Sequence, residues 1–454
     1  MKKFFGRRKF LALSATVGAS AVVACAGPAG PAGASGAEGA AAPTALPLRQ
    51  VSGSILYWTQ NYGSPDVQKK TMDDLVAAYK KESGVEVKYE IINWSDASTK
   101  WNLAFQTGDM PDVADLFWLQ SRVVAGGGKW GPLNLDDEVK AGTFGDVDRF
   151  YPLAIEESKY EGSWYAIPWR FDTRILTYRT DIFTAAGLTP PTTTDEVIDV
   201  AKKLTTSDGN QYGVALGSSG GSATSYHHLW MWLMQIWGVP MLTSDFKRAA
   251  FNTPEAREAL QWAADLTNKY KVTPPNVVTP GFSSETEFMA GRVAMTFPQT
   301  ATFPLTQREA APQLDGKYAG ALVPKAKVQA ALGFSAPVVV FENTKNREAA
   351  IDWLRYFTST EAQSKVCAAF LLANSSREVM ADPFYQSNEW WKTIGEQAQY
   401  AQMTDMPTPA WNEISAYPGG PMYDMMNEVL FGGSVDEIIT RYETKFNDIL
   451  KKYD

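Results

Sequence analysis

Aromatic rings sit beside amides and carboxylates at several points in the chain: Trp58 with Gln60 and Asn61, Trp94 with Ser95 and Asp96, and Asp115 with Trp118 and Gln120. An indole offers a flat apolar face beside a polar tip. An amide supplies paired donors and acceptors, and a carboxylate accepts from two hydroxyls. Such a set suits a ligand that alternates C–H faces with hydroxyl groups, as a sugar ring does. Fifteen tryptophans and nineteen tyrosines are a large complement for this chain. Each ring nevertheless has core packing as its alternative, and Asp115 has a helix cap or a turn.

Other chemistries lack their residues. There is no pair of metal-ligating histidines at helical spacing and no phosphate-binding loop. His227 and His228 are adjacent, so on a helix they point to different faces and cannot clamp one metal. They read as surface or packing residues. The two cysteines, Cys25 and Cys367, make neither a disulfide framework nor a metal site. Cys367 falls in a helical pattern with Ala362, Val366 and Phe370 and reads as a small buried residue. No metal and no cofactor is expected. A secreted carbohydrate-active enzyme stays open as a rival reading, because an acid and a nucleophile require just a pair of carboxylates. The net charge of −8 argues against nucleic acid as a partner.

The elements that position these residues alternate. Ser54 to Thr59 reads as a buried strand, and Val67 to Lys81 as a helix with Val67, Thr71, Leu75 and Tyr79 on one face, stopped by Gly84. Val85, Val87, Tyr89 and Ile91 alternate with polar residues, as in a half-buried strand. A helix from about Ala97 to Thr107 and a strand from Val113 to Trp118 follow. This grammar implies an α/β chain with a parallel sheet flanked by helices. It continues with a strand at Ile175 to Tyr178 and helices capped at Thr193 and opened at Thr253-Pro254. A strand at Val338 to Phe341, a helix capped by Asn346 and a last helix from Ser434 complete it. A body of roughly 400 residues calls for about two domains.

The N-terminus carries an address. Lys2, Lys3, Arg7, Arg8 and Lys9 precede an uncharged stretch from Phe10 to Ala24, the pattern of a secretory signal over 1–24. A membrane-spanning helix is the alternative, but the run is short and heavy in Ala, Ser and Gly. Residues 26–49, rich in Gly, Ala and Pro, read as a flexible tether. The Arg7-Arg8 pair resembles the twin-arginine export signal, with Gly6 where that pattern has Ser or Thr. Val22-Val23-Ala24-Cys25 resembles a bacterial lipobox, which implies a lipid on Cys25 and attachment to the outer face of the cytoplasmic membrane.

Four segments together resemble the extracellular solute-binding proteins of ATP-binding-cassette importers, family 1, which bind sugars and oligosaccharides. The first is Gly108-Asp109-Met110-Pro111-Asp112-Val113. The second runs from Tyr165-Ala166-Ile167-Pro168-Trp169 through Asp172-Thr173-Arg174 to Tyr178, Asp181, Phe183, Ala186 and Gly187-Leu188. The third is Phe288-Met289-Ala290-Gly291-Arg292-Val293-Ala294-Met295, and the fourth lies between Asn346 and Gln363. The resemblance implies a two-lobed periplasmic-binding-protein-like fold, each lobe a mainly parallel sheet flanked by helices and hinged by crossover segments. Its lobes would be 50–170 with 335–375, and 171–334 with 376–454. It further implies capture of a small-molecule ligand, a sugar or otherwise a polyol or peptide, by a monomer that hands it to permease subunits. Beyond Trp58, Gln60, Asn61, Trp94, Asp115 and Trp118, the expected ligand contacts are Trp169 and Asp172 with Arg170 on the first crossing, Trp230 from the run His228, Trp230, Trp232 and Trp237, and Gln299 and Trp411 in loops. Phe297-Pro298-Gln299 departs from the family's frequent Gly-Pro-Trp.

Overall fold

Runs of apolar residues punctuated by glycine and capped helical stretches set an alternating series of strands and helices. The computed structural model describes residues 51–62, 64–117, 131–217, 226–277, 282–300, 311–416 and 419–453. Strand β1 (Ser54–Gln60) leads to the helix Pro65–Ser83, then β2 (Glu86–Ile92), the helix Trp94–Thr107 and β3 (Val113–Asp115). The first helix shows why such a stretch folds. Pro65 opens it, Lys80 and Lys81 sit in its last turn, and Gly84 closes it at φ 82°, donating its N–H to the Lys80 carbonyl. Gln68, Met72, Leu75, Tyr79 and Ser83 make its buried face.

A hairpin of β4 (Lys159–Tyr160) and β5 (Ser163–Trp164) precedes β6 (Ile167–Arg179), 13 residues long. The helix Thr194–Leu204, with the Thr193 side chain accepting from the Glu196 N–H, leads to β7 (Tyr212–Leu216). The helices Tyr226–Trp237, Pro254–Asn268 and Ser284–Met289 come before β8 (Val293–Thr300), β9 (Tyr318–Ala321) and β10 (Ala331–Val340). The helices Arg347–Phe357 and Thr360–Phe370, β11 (Ala373–Asn374), the helix Glu389–Gln397 and β12 (Ala401–Gln402) follow. The helices Pro421–Leu430 and Val435–Leu450 end the chain's described part.

One mixed sheet runs through the molecule in the order β2-β1-β3-β10-β6-β8-β7, with β9 and β11 on β6 and β12 on β10. β1 is parallel to β2 and β3, and β7 is parallel to β8. β10 and β6 are antiparallel to their main neighbours. The parallel arrangement expected within each lobe thus holds on both flanks, while the middle of the sheet is antiparallel.

Helices on the sheet bury two large cores. The first collects Tyr57, Tyr79, Trp169, Phe171, Val338, Trp353, Phe357 and Cys367. The second collects Leu176, Trp230, Trp232, Phe251, Phe297, Phe334, Met425 and Phe446. A smaller group around Trp58, Trp101 and Phe341 covers the other face of β1 and β3. A buried Phe or Met side chain contributes roughly 1.5–3 kcal/mol, so these cores outweigh any single pairing in the sheet. β6 passes from the first core at Ile175 to the second at Leu176, and β10 from the second at Phe334 to the first at Ala336. Both strands are longer than expected, since the sequence marks only one end of each. Val379, Met380, Tyr385, Trp390, Trp391, Ile394 and Ala398 pack in the first core. From Ala410 onward the chain packs in the second core.

The second core depends on one close approach. A Cβ built on Gly213 of β7 would lie 2.2 Å from the backbone oxygen of Ala201, in the helix Thr194–Leu204. Neither backbone can give way without moving helix or strand. Gly213→Ala should therefore lower the unfolding free energy by roughly 1–3 kcal/mol, measured as a shifted midpoint in urea titration.

Candidate functional site

Strand register brings two sets of carboxyl ends together. β3 ends at Asp115, opposite Val338 of β10, and β8 ends at Thr300, opposite Arg174 of β6. Between these points Arg170, Phe171, Asp172 and Thr173 of β6 pair with Ala336, Ser335, Phe334 and Gly333 of β10. The parallel strands of both flanks point their carboxyl ends at this stretch, which is where open α/β sheets hold ligands.

The two-residue period of a strand then sorts the side chains. Trp169 and Phe171 enter the first core. Arg170, Asp172 and Arg174 share the opposite face. Arg174 Nη1 donates to Asp172 Oδ2 at 2.8 Å, and Arg170 Nη2 lies 3.7 Å from the same oxygen. The first core's side contributes the Tyr62 and Phe117 rings, 4.9 and 5.5 Å from the Arg170 guanidinium. The second core's side contributes Phe334, whose ring lies 4.3 Å from the Arg174 guanidinium. His228, in the first turn of the helix Tyr226–Trp237, meets Phe334 edge-on at 4.9 Å, and the His227 ring lies 4.1 Å from that of His228, tilted by 42°. The row on β6 therefore touches groups from both cores.

Its electrostatics follow from burial. Burial, helped by the Arg174 charge, pushes His227 down to about 3, and His228 falls well below its ordinary value from burial, His227 and Arg174. Both imidazoles are neutral near pH 7. Glu285, at the start of the helix Ser284–Met289, is pushed up to about 7 by burial, with Arg174 pulling it down. Among the described residues Arg170 Nε, Asp172 Oδ1 and Arg174 Nε are buried without a hydrogen-bond partner, as are Trp58 Nε1 and Gln60 Oε1. Buried polar atoms are otherwise nearly always paired.

The structure distributes the expected contacts unevenly. Asp172 lies in the row. Asp115 lies on β3, separated from the row by β10, and is fully buried, accepting from the hydroxyls of Tyr57, Thr59 (2.7 Å) and Tyr62 (3.2 Å). Tyr62 in turn rests against Arg170. Gln60 is buried at the end of β1, and Asn61 donates from Nδ2 to Asn93 Oδ1 at 3.4 Å. Trp58 packs edge-on against Trp101 at 5.3 Å, with Lys100 Nζ 4.1 Å from its ring.

Three expected stacking rings are core side chains here. Trp169 is fully buried against Tyr62 and Phe357, on the face of β6 opposite Asp172. Trp230 is fully buried between Phe251 and Phe446, and Trp411 donates from Nε1 to the Thr404 carbonyl at 2.8 Å from within the second core. Trp411 also opens a short helix, Trp411–Ile414, instead of lying in a loop. Trp232 and Trp237 pack on Trp262. Trp94 is the first residue of its helix, not part of the preceding loop, and Gln299 pairs with Ile175 through the backbone. Trp118 and Cys25 lie outside the described residues.

Arg174, Phe334, Tyr62, Phe117, His227 and Glu285 were not among the expected contacts. The signal for them was Arg170-x-Asp172-x-Arg174, three charges at a two-residue period inside an otherwise apolar run. That spacing puts all three on one face of any strand.

Comparison with known proteins supplies the wider setting. Residues 74–393 match the sequence model of the bacterial extracellular solute-binding proteins. A putative binding protein of Brucella abortus is 26% identical over 402 residues, 84% of this chain and 90% of that protein. Among solved structures, a solute-binding protein of an ABC transporter from Thermotoga lettingae, bound with α-D-tagatose, superposes with a TM-score of 0.72 at 24% identity, covering 87% of this chain and 99% of that one. The sugar-binding protein MalE of Xanthomonas citri superposes with a TM-score of 0.74 at 18% identity, covering 88% and 98%. Likeness at these identities concerns the fold.

Asp115 offers a direct test of the buried arrangement. Burial outweighs its three hydroxyl donors and raises its carboxyl to about 6, above the ~3.9 of an unfolded chain. The folded state thus holds the proton more tightly, and this contribution to stability is full below about pH 4 and is lost as pH rises through about 6. Between about pH 4 and 7 the stability difference between the native chain and Asp115→Asn should fall by something on the order of 2 kcal/mol, read from urea titrations of both proteins.

Proposed function

Because the chain belongs to the bacterial extracellular solute-binding proteins, we propose that it captures a carbohydrate between two lobes and delivers it to the permease subunits of an ATP-binding-cassette importer. The observation that carries this reading is the row Arg170, Asp172 and Arg174, flanked by Tyr62 and Phe117 from one core and Phe334 and His228 from the other. Paired charges beside aromatic faces recognise hydroxyl groups and C–H faces together. The sugar in the Thermotoga lettingae relative is consistent with that chemistry.

The first lobe would comprise 51–175 with 336–401, and the second 176–334 with 410–453. Open and closed arrangements exchange, and a ligand that contacts both lobes favours closure through the contacts it makes only there. Gln60 and Trp58 at the end of β1 and Asp172 on β6 would supply polar groups, with Asn61, Asp115, Trp94 and Gln299 at the same carboxyl ends and Trp118 as a further contact. The protein would act as a monomer, exported by way of Arg7-Arg8 and held at the membrane by a lipid on Cys25, with 26–49 as the tether. Among the described residues no helix is long and apolar enough to cross a membrane.

Calorimetry against sugars, sugar acids, polyols and peptides tests the ligand class: heat from a carbohydrate supports the reading, and heat from peptides alone rejects it. With the ligand so found, Asp172→Asn should weaken binding by roughly 10- to 100-fold, the size expected for charge-assisted hydrogen bonds. Small-angle scattering should show a smaller radius of gyration at saturation. Cys25→Ser should release the protein from the membrane fraction, and full retention would rule out the lipid anchor.

A further inference from the structure

The row on β6 holds two guanidinium groups for one carboxylate. The Arg170 and Arg174 side chains retain 8% and 6% of their exposure, and both lean on Asp172. Their Nε atoms have no partner among the described residues. At this depth water screens little of the surplus charge, and a buried cation without a counter-ion is destabilising. The other carboxyl that feels Arg174, Glu285, is pushed up to about 7 by burial and is at most a partial counter-charge near neutral pH. Asp115 is occupied by the hydroxyls of Tyr57, Thr59 and Tyr62.

The surroundings add to the imbalance. The helix Tyr226–Trp237, 12 residues long, begins beside Arg174 with His227 and His228 in its first turn. Its first backbone N–H groups and its dipole favour negative charge there.

Resting on the reading of this junction as a carbohydrate site, we propose that its ligand is a sugar acid, a carbohydrate with a single carboxylate that binds between Arg170, Arg174 and the helix start at His227. One surplus positive charge matches one carboxylate, whereas a phosphate monoester brings close to two negative charges. The planar guanidinium fork fits a carboxylate through paired hydrogen bonds, and the freed Asp172 oxygen accepts from a sugar hydroxyl. Phe334 and Phe117 present faces for the ring's C–H edges.

The test is calorimetry on the full chain with matched pairs: glucuronate and galacturonate, and their disaccharides, against glucose, galactose and the corresponding neutral disaccharides, with glucose 6-phosphate alongside. The acid of a pair should bind at least about tenfold more tightly, about 1.4 kcal/mol. The preference should vanish in Arg174→Gln, whose thermal melting is followed in parallel. If that variant does not fold, the native protein's preference between each acid and its neutral partner still decides. A neutral sugar binding as tightly as its acid, or glucose 6-phosphate binding more tightly than glucuronate, overturns the proposal while leaving the carbohydrate reading intact. No heat from any of these ligands overturns both.

Discussion

The pairing of β6 with β10 is the constraint from which the rest follows. Each strand belongs to both cores, and they run antiparallel to one another through the point where one core gives way to the other. Neither core can shift its register against the sheet without turning apolar side chains of these two strands toward the wrong face. The pairing also fixes what faces the junction. Where the cores change over, one face of β6 still has Trp169 and Phe171 to bury, while the other is left for Arg170, Asp172 and Arg174. Charges at this depth are costly, and here the cost is offset by mutual ion pairing and by aromatic faces under both guanidinium groups.

Asp115 shows how the flank supports the row without touching it. It sits at the carboxyl end of β3, in register with Val338, and gathers three hydroxyls from β1 and the turn that follows. One of these, on Tyr62, holds a ring between the Trp169 indole and the Arg170 guanidinium. A carboxylate expected to contact a ligand acts in this arrangement as the anchor of an aromatic wall. On the other side, Phe334 does the corresponding work for Arg174, held in place by its pairing with Asp172 across the strands.

Much of the architecture was legible in the sequence because it depends on local signals. The glycine at position 84, the Thr193 and Thr253 caps and the alternation of strand and helix in the first hundred residues of the folded part all set structure within a few positions. The family resemblance carried the two-lobed fold. Long-range features were less legible. β6 and β10 are buried on both faces over much of their length, so their apolar runs carry no period from which to read where the strand begins. Residues 376–398 pack back on the first core through contacts that no local pattern encodes. Ring type alone is ambiguous, because an indole after a strand looks the same whether it faces a ligand or a core, and Trp169, Trp230 and Trp411 are buried in the cores. Charge spacing carries a different signal, because Arg and Asp inside a buried strand need each other wherever they are placed.

Every tryptophan whose side chain is described, from Trp58 to Trp411, is buried. Indoles shielded in this way emit at shorter wavelengths and resist collisional quenchers, so their light reports on the integrity of the cores and little on occupancy of the junction. A spectral change on adding solute would originate at Trp58, at positions 94, 118 or 130, or in a repacking of the interior. Quencher access would tell these apart, since indoles open to solvent lose intensity to iodide while the interior ones keep theirs.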